Sequence, residues 1–410
     1  MSGSDSGSES LNQYLTVTAC YWLFTITDGA LRMLVVLHFH NLGYNALQIA
    51  LLFLFYEAFG VLTNLFGGYI GTRVGLNRLM NVGMVLQIGA LSMLTVPEAM
   101  LGVVWVMVAQ ALSGIAKDLN KMSAKSAVKT LLPADEKARL FKWVAVLTGS
   151  KNTLKGAGFF FGAFLLYKFN FRSAVLVLIA LIIVALILSI LILKANPVKS
   201  PTKLKFTSVF SRSESINWLS AARFFLFAAR DVWFVVGLPV YLATALAWSH
   251  WKVGAFMAVW IIFYGFVQSV APRIVAGLSG SEADSGSETD GRTALIWVVI
   301  LLAVTSVLTV LVGADVPASV GLLPGLFVFG AVFAVNSSLH SYLVLHYADR
   351  EAAVVDVGFY YMANAAGRLA GTVLSGWLYL NGSLVLCLAG ASALLLGSSL
   401  TSLKLPDRNS

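Results

Sequence analysis

The sequence predicts an all-α membrane protein with twelve transmembrane helices arranged as two pseudo-symmetric six-helix bundles. Three observations predict this class: an apolar composition, long uncharged segments, and a weak repeat at half-chain spacing. Of the 410 residues, 58% are hydrophobic and 11% are charged, whereas a soluble domain is about half apolar and roughly a quarter charged. So little charge leaves too little polar surface for a large particle in water. The natural solvent for this chain is therefore lipid.

Several uncharged segments are long enough to cross a bilayer. Residues 173–193, 294–312 and 382–403 contain no charged side chain, and a spanning helix needs about 20 apolar residues. Helices are expected because lipid offers backbone polar groups no other partner. The twelve predicted spans are residues 12–38, 47–71, 79–95, 100–121, 138–166, 172–193, 215–243, 252–275, 293–312, 321–346, 352–379 and 382–403.

The distribution of basic residues predicts the orientation in the membrane. With the N-terminus in the cytoplasm, the inner loops and helix ends hold 19 Lys and Arg residues, and the outer side holds 3. Cytoplasmic loops carry such an excess, so both termini are expected in the cytoplasm of a multi-pass inner (plasma) membrane protein. The net charge of +9 then belongs to these loops. We expect lipid and a small anionic substrate as partners, no nucleic acid, and a monomer.

The pattern along the chain predicts five regions. Residues 1–11 are Ser- and Gly-rich and are predicted to be a disordered cytoplasmic tail, and residues 405–410 a second cytoplasmic tail. Between them lie an N-terminal bundle at residues 12–193, a basic linker at 194–214, and a C-terminal bundle at 215–404.

The two predicted bundles repeat weakly. Residues 42–50 align with residues 246–254 at an offset of 204. At an offset of 213, Lys151, Lys155, Gly158 and Phe164 align with Asn364, Arg368, Gly371 and Trp377. Similarity at half-chain spacing is typical of transporters built from repeats.

Nine charged residues lie in the interior of predicted spans, away from the helix ends, where each costs at least about 2.5 kcal/mol. Six cations against three carboxylates leave positive charge that an anionic ligand can neutralise. We therefore predict a small-anion site. Its predicted substrate-binding residues are Arg32, Lys151, Lys155, Arg230 and Arg368. The predicted proton-coupling or charge-pairing residues are Asp28, Glu57 and Asp231, and the secondary candidates are Asn152, Lys117, Arg223 and Asn364.

Other interpretations of these charges remain open. Some pairs, such as Asp28 with Arg32 and Asp231 with Arg230 or Arg223, would merely hold helices together. Arg223, near the cytoplasmic end of its span, would alternatively extend its side chain to the membrane surface.

The sequence contains no pattern typical of an enzyme. The five His and two Cys residues show no metal-ligand spacing, so neither a metal nor a cofactor is expected. A membrane-embedded transferase or hydrolase would need a nucleophile with a base, or a metal, at one depth. A receptor without transport is disfavoured by the half-chain repeat.

One loop motif resembles the signature of the major facilitator superfamily. It runs from Gly68 through Arg73 and Gly75 to Arg78, after the second predicted span. Its glycines permit a tight turn, and its arginines favour the inner face. Thr72 stands where the superfamily usually has Asp, so a gating salt bridge is not expected at this position.

Four longer segments resemble the organoarsenical efflux permeases, the ArsJ family of that superfamily. They are residues 21–40, 112–126, 147–152 and 229–236. The resemblance implies a major facilitator fold and export of 1-arseno-3-phosphoglycerate, which glyceraldehyde-3-phosphate dehydrogenase makes from arsenate and which breaks down outside the cell. It thus implies a functional link to that dehydrogenase. We expect alternating access, with Asp28, Glu57 and Asp231 as the candidates for proton coupling. An organophosphate or phosphate antiporter of the same superfamily is the alternative.

Overall fold

The computed structural model describes residues 3–74, 76–131, 137–193, 213–279, 290–347 and 353–406. Within these ranges the regular structure is helical, which confirms the predicted fold class. A short 3-10 helix, Glu98–Met100, precedes the fifth α-helix. The α-helices are α1 (Gly3–Asn41), α2 (Ala46–Leu52), α3 (Leu54–Val74), α4 (Leu76–Met93), α5 (Val103–Leu131), α6 (Lys137–Lys168), α7 (Phe171–Ile192), α8 (Glu214–Phe234), α9 (Gly237–Thr244), α10 (His250–Ser279), α11 (Gly291–Gly313), α12 (Leu322–Tyr347) and α13 (Ala353–Ser402).

Eight segments of the described chain are long and apolar enough to cross a membrane. The last of them, Phe359–Ser402, has 44 residues and so has the length of two crossings. It contains a kink at Gly382 and Ser383, where the backbone leaves the helical conformation. The kink falls at the boundary predicted between the last two spans.

Two other predicted spans are interrupted helices. Phe53 separates α2 from α3 within the second predicted span. Within the seventh, α8 ends at Phe234 and α9 begins at Gly237. Pro239 explains the second interruption, because a proline ring clashes with the carbonyl group four residues earlier, here that of Val235.

The N-terminal prediction differs from the structure. Residues 1–11 are predicted to be a disordered tail, whereas α1 begins at Gly3.

The helices form two compact units. Unit 1 comprises Met1–His38, Leu62–Leu204 and Ser249–Ala258, and unit 2 comprises Phe39–Val61, Lys205–Trp248 and Val259–Ser410. The units therefore differ from the two bundles predicted from the sequence, since each contains a short segment assigned to the other bundle.

Small residues explain why these short segments pack where they do. In unit 2, a Cβ at Gly376 of α13 would lie 2.6 Å from the carbonyl oxygen of Ala46 in α2. In unit 1, a Cβ at Gly254 of α10 would lie 3.1 Å from the carbonyl oxygen of Phe159 in α6. Helices approach this closely only where no side chain intervenes.

Candidate functional site

In unit 1, the predicted site residues lie around a close crossing of α1 and α6. A Cβ at Gly29 would lie 2.8 Å from the carbonyl oxygen of Lys155, and one at Gly158 would lie 3.2 Å from the backbone nitrogen of Ala30. Trp22 of α1 also donates a hydrogen bond to the Ser150 hydroxyl of α6 at 2.9 Å. The crossing therefore brings the parts of the two helices that carry the predicted charges side by side.

The charged side chains at the α1/α6 crossing are largely removed from solvent. Arg32 is 6% exposed, and Asp28, Lys151 and Lys155 are half-buried, as is Asn152 beside them. The Lys155 ammonium group lies 5.5 Å from the centre of the Phe159 ring, within the range of a cation–π interaction.

Unit 2 contains the corresponding crossing, between α8 and α13. A Cβ at Gly371 would lie 2.6 Å from the carbonyl oxygen of Ala228 and 3.0 Å from the Asp231 Cβ. Gly371 is the residue that aligns with Gly158 in the sequence repeat. In each unit, the glycine at the aligned position thus allows two helices to cross closely. Lys155 and Arg368, three residues before these glycines, also occupy aligned positions.

Four charged residues of unit 2 form a continuous row, here named the charge chain. The Arg230 guanidinium contacts Asp231 Oδ1 through Nε at 2.6 Å and Nη2 at 2.5 Å. Asp231 Oδ2 accepts a hydrogen bond from Arg368 Nε at 3.2 Å, and Arg368 Nη2 donates to Glu57 Oε1 at 2.7 Å. Both carboxylates are buried.

The charge chain changes the expected charge balance. Its two guanidinium groups are matched by two carboxylates, so it carries no net charge. The positive surplus predicted for the spans as a whole therefore does not arise at Arg230 and Arg368. For Glu57 and Asp231, the observed contacts are those of charge pairing, one of the two roles predicted for them.

Arg223 occupies a different environment on the same helix. It is 5% exposed, donates from Nε to Asn364 Oδ1 at 3.0 Å, and donates from Nη1 to the Ser337 carbonyl oxygen at 3.1 Å. Its guanidinium group lies 4.0 Å from the centre of the Phe227 ring and 5.2 Å from that of Tyr360. The alternative that Arg223 extends to the membrane surface is therefore wrong, because α12 and α13 enclose it.

The residues around Arg223 include several that sequence reasoning missed. Ser337 Oγ accepts hydrogen bonds from Tyr264 at 3.3 Å and Gln268 at 3.4 Å. His340, one turn further along α12, is fully buried, and neither ring nitrogen has a hydrogen-bond partner among the described residues. The available signal was a set of polar residues at helical spacing in an otherwise apolar segment: Asn336, Ser337, His340 and Ser341.

Lys117, another predicted secondary residue, lies beside a carboxylate on its own helix. Its ammonium nitrogen is 3.8 Å from Asp118, and that of Lys121 is 3.5 Å from the same carboxylate. Lys121 also donates a hydrogen bond to Asn64 at 3.2 Å. The hydrogen bond from Lys121 to Asn64 links α5 to α3 within unit 1.

Comparisons with known proteins identify the fold and the family. Residues 17–372 match the sequence model of a protein family, the Major Facilitator Superfamily. The comparison with curated proteins gives no match.

Two solved structures resemble the whole chain. One comes from work on substrate recognition in proton-dependent oligopeptide transporters; it has a TM-score of 0.69 at 14% identity, with 96% of each chain covered. The other is a bacterial homologue of the human drug peptide transporters PepT1 and PepT2; its TM-score is 0.68 at 14% identity, with 96% of this chain and 97% of that chain covered. At this identity the likeness concerns the fold alone. Since the family match extends over most of the sequence, the chain belongs to the Major Facilitator Superfamily and is a multi-pass membrane protein of a secondary-transporter superfamily.

Proposed function

We propose that the protein is a secondary active efflux transporter that exports an organoarsenical oxyanion, 1-arseno-3-phosphoglycerate, from the cytoplasm across the inner membrane. Membership of the superfamily supports transport by alternating access. The four segments that resemble organoarsenical efflux permeases support the substrate. In this proposal, glyceraldehyde-3-phosphate dehydrogenase supplies the substrate, and export confers arsenate resistance.

The observation that carries the proposal is the collection of cations at the α1/α6 crossing. Arg32, Lys151 and Lys155 lie on the two helices there, and the described side chains of α6 include no carboxylate. Guanidinium groups bind oxyanions through paired hydrogen bonds, and ammonium groups bind them as mobile point charges. We infer that these cations, with Asn152 beside them, bind one charged end of the substrate.

The charge chain supplies a route for proton coupling in this proposal. Protonation of Glu57 or Asp231 would remove one negative charge from a balanced row and weaken its contact with Arg368. A transporter can use such a step to link proton movement to the exchange of conformations. Asp28 of unit 1 lies close to the position equivalent to Asp231 in the repeat and is a further candidate.

Transport into inside-out membrane vesicles tests the proposal. Glyceraldehyde-3-phosphate dehydrogenase, its substrates and radiolabelled arsenate would generate the organoarsenical outside the vesicles. We expect uptake of label that requires both the enzyme and the transporter. Lys151→Ala and Lys155→Ala should each reduce this uptake at least about tenfold, the loss expected for one charge-assisted hydrogen bond. Equal uptake in both variants and the unaltered protein would contradict the assigned role of these lysines.

Lys168→Ala is the matched control for these variants. Lys168 is an exposed cation at the end of the same helix, and its substitution removes an equal charge away from the crossing. Uptake by Lys168→Ala should equal that of the unaltered protein, with expression measured for every variant.

An organophosphate or phosphate antiporter is the alternative, because the same cations bind a phosphoryl group as well as an arsenyl group. Preloading the vesicles with inorganic phosphate or 3-phosphoglycerate distinguishes the two. An antiporter would take up labelled phosphate faster after such loading and without any arsenate. The exporter should require arsenate and the dehydrogenase.

A further inference from the structure

The positive charge of Arg223 has no carboxylate within ion-pair distance in the described part of the chain. Its described polar contacts are the Asn364 side-chain oxygen and the Ser337 backbone carbonyl oxygen. A buried charge without a counter-ion is costly, and the rings of Phe227 and Tyr360 offset only part of that cost through cation–π interactions. Arg230 and Arg368, by contrast, are both matched by carboxylates of the charge chain.

Arg223 also retains unused hydrogen-bond donors. A guanidinium group has five N–H donors, and Arg223 uses one from Nε and one from Nη1 within the described residues. Asn364 accepts from Arg223 through Oδ1, so the two N–H donors of its amide are not used in this contact. Donors of this kind are suited to the oxygen atoms of an anion.

His340 is a second, independent indication of a ligand. Its ring is fully buried and makes no hydrogen bond with any described residue, although buried polar groups in proteins nearly always have partners. It follows Ser337 by one turn of α12, and Ser337 holds Arg223 through its carbonyl oxygen. The unpartnered ring and the uncompensated cation therefore belong to the same part of unit 2.

We propose that Arg223, His340 and Asn364 form an oxyanion-binding subsite in unit 2, which takes a phosphoryl or arsenyl group of a small solute. This inference rests on the proposed function and deepens it, since it assigns one charged end of the substrate to Arg223. It also reassigns the unit 2 cations: Arg223 binds the anion, while Arg230 and Arg368 serve the charge chain. Asn364 aligns with Lys151 in the repeat, so the subsite occupies the position in unit 2 that corresponds to the lysine-bearing turn of α6.

Binding of inorganic phosphate and inorganic arsenate to the purified full-length protein tests this proposal. Thermal unfolding in detergent would be measured against ligand concentration, with chloride at equal ionic strength as the reference. We expect both oxyanions to raise the Tm in a saturable manner, because a ligand that binds only the folded state stabilises it. Chloride should give no saturable rise.

Arg223→Gln should raise the Kd for phosphate about tenfold or more, the loss expected for hydrogen bonds to a charged group. Arg292→Gln is the matched control, since Arg292 is an exposed arginine of the same unit. The Kd of this variant for phosphate should equal that of the unaltered protein. His340→Phe keeps a buried ring but removes its nitrogen atoms, and should weaken phosphate binding by several-fold. If Arg223→Gln does not fold, His340→Phe decides the question.

An unchanged phosphate Kd in the folded variants would overturn the subsite, as would the absence of saturable binding by the unaltered protein. Vesicle uptake separates this failure from failure of the proposed function. Loss of phosphate binding in Arg223→Gln, together with no organoarsenical uptake by the unaltered protein, would leave the subsite standing and reject the substrate. Normal organoarsenical uptake by Arg223→Gln would reject the subsite and leave the function standing.

Discussion

At the scale of single residues, unit 2 holds its buried arginines in two different kinds of environment. In unit 2, Arg230 and Arg368 contact carboxylates directly, whereas Arg223 contacts neutral oxygens and aromatic rings. A paired cation is held in place by its partner, and a cation with neutral neighbours keeps its attraction for an anion. Burial alone therefore does not identify the residues that bind a charged substrate.

The pairing of Glu57 with Arg368 should contribute measurably to stability. Glu57→Gln removes one of the two carboxylates that contact Arg368 and should lower the free energy of unfolding by on the order of 3 kcal/mol, as expected for breaking a buried pair. Chemical unfolding of the purified protein in detergent measures this change.

A double-mutant cycle separates the pairing from other effects of the substitution. Glu57→Gln combined with Arg368→Gln should cost less than the two single changes added together. Glu98→Gln is the control: its side chain is 66% exposed, and its removal should change stability by less than about 0.5 kcal/mol. Strict additivity of the two buried substitutions would show that the pair contributes nothing.

The sequence identified the charged residues of unit 2 and the neighbouring pair Asp231 and Arg230, but not the partners of Arg368. Charges in apolar segments are visible in the sequence, which is why Glu57, Asp231 and Arg368 could be predicted as site residues. Their pairing joins residues up to 311 positions apart, and only the folded chain shows it. His340 and Ser337 were missed because neutral polar residues are common in helices and stand out only when they are buried without partners.

At the scale of helices, aligned glycines set the positions of the site residues. Gly158 allows α6 to approach α1, and Gly371 allows α13 to approach α8. The cation three residues earlier in each helix is thereby fixed at the same crossing: Lys155 next to α1, and Arg368 next to α8. The repeat was visible in the sequence at these positions because both the glycine and the cation are retained.

Enlarging either glycine should disturb its crossing. Gly158→Ala and Gly371→Ala place a methyl group against backbone atoms that cannot move aside, and should each cost about 1–3 kcal/mol. Gly89→Ala is the control, because open space surrounds this residue of α4 and alanine favours a helix by up to about 1 kcal/mol. Thermal unfolding of the three variants measures the difference; equal Tm values for all three would contradict the close approach.

The kink in α13 depends on an unusual backbone conformation. Ser383 has a φ of 57°, which a residue with a Cβ adopts at a cost of about 1–3 kcal/mol. Ser383→Gly should therefore maintain or raise the Tm, whereas Ser383→Val should lower it, since a β-branched residue resists this conformation more strongly. A higher Tm for Ser383→Val than for Ser383→Gly would contradict the positive φ of this residue at the kink.

At the scale of the whole molecule, length and hydropathy predicted the helices well but not how they group. Apolar segments of spanning length are a direct property of the sequence, so the fold class was confirmed. The compact units exchange residues 39–61 and 249–258 relative to the predicted bundles, because that grouping depends on small-residue contacts such as Gly376 with α2. The helical start at Gly3 was missed because a Ser- and Gly-rich composition is more typical of a tail.

The predicted orientation places the α1–α2 connection outside the cytoplasm and the start of α4 inside. Leu42→Cys should react with a membrane-impermeant maleimide on intact cells, and Arg78→Cys should react only after the membrane is made permeable. Both positions are exposed in the structure, while the native Cys20 and Cys387 are buried and should remain unlabelled. Labelling of Arg78→Cys on intact cells would contradict the predicted orientation and indicate the opposite one.

The contact between Glu57 and Arg368 also bears on how the protein is made. The ribosome completes 311 residues between these two partners, which takes roughly 15–60 s at about 5–20 residues per second. During that interval the nascent chain holds a glutamate in a segment bound for the bilayer, and its cationic partner does not yet exist. We expect this glutamate to remain in an aqueous environment until Arg368 is made, because an unpaired carboxylate is costly within the bilayer. Early release of a shortened chain would leave it without its arginine, and such a product should be a preferred target of membrane quality-control proteases.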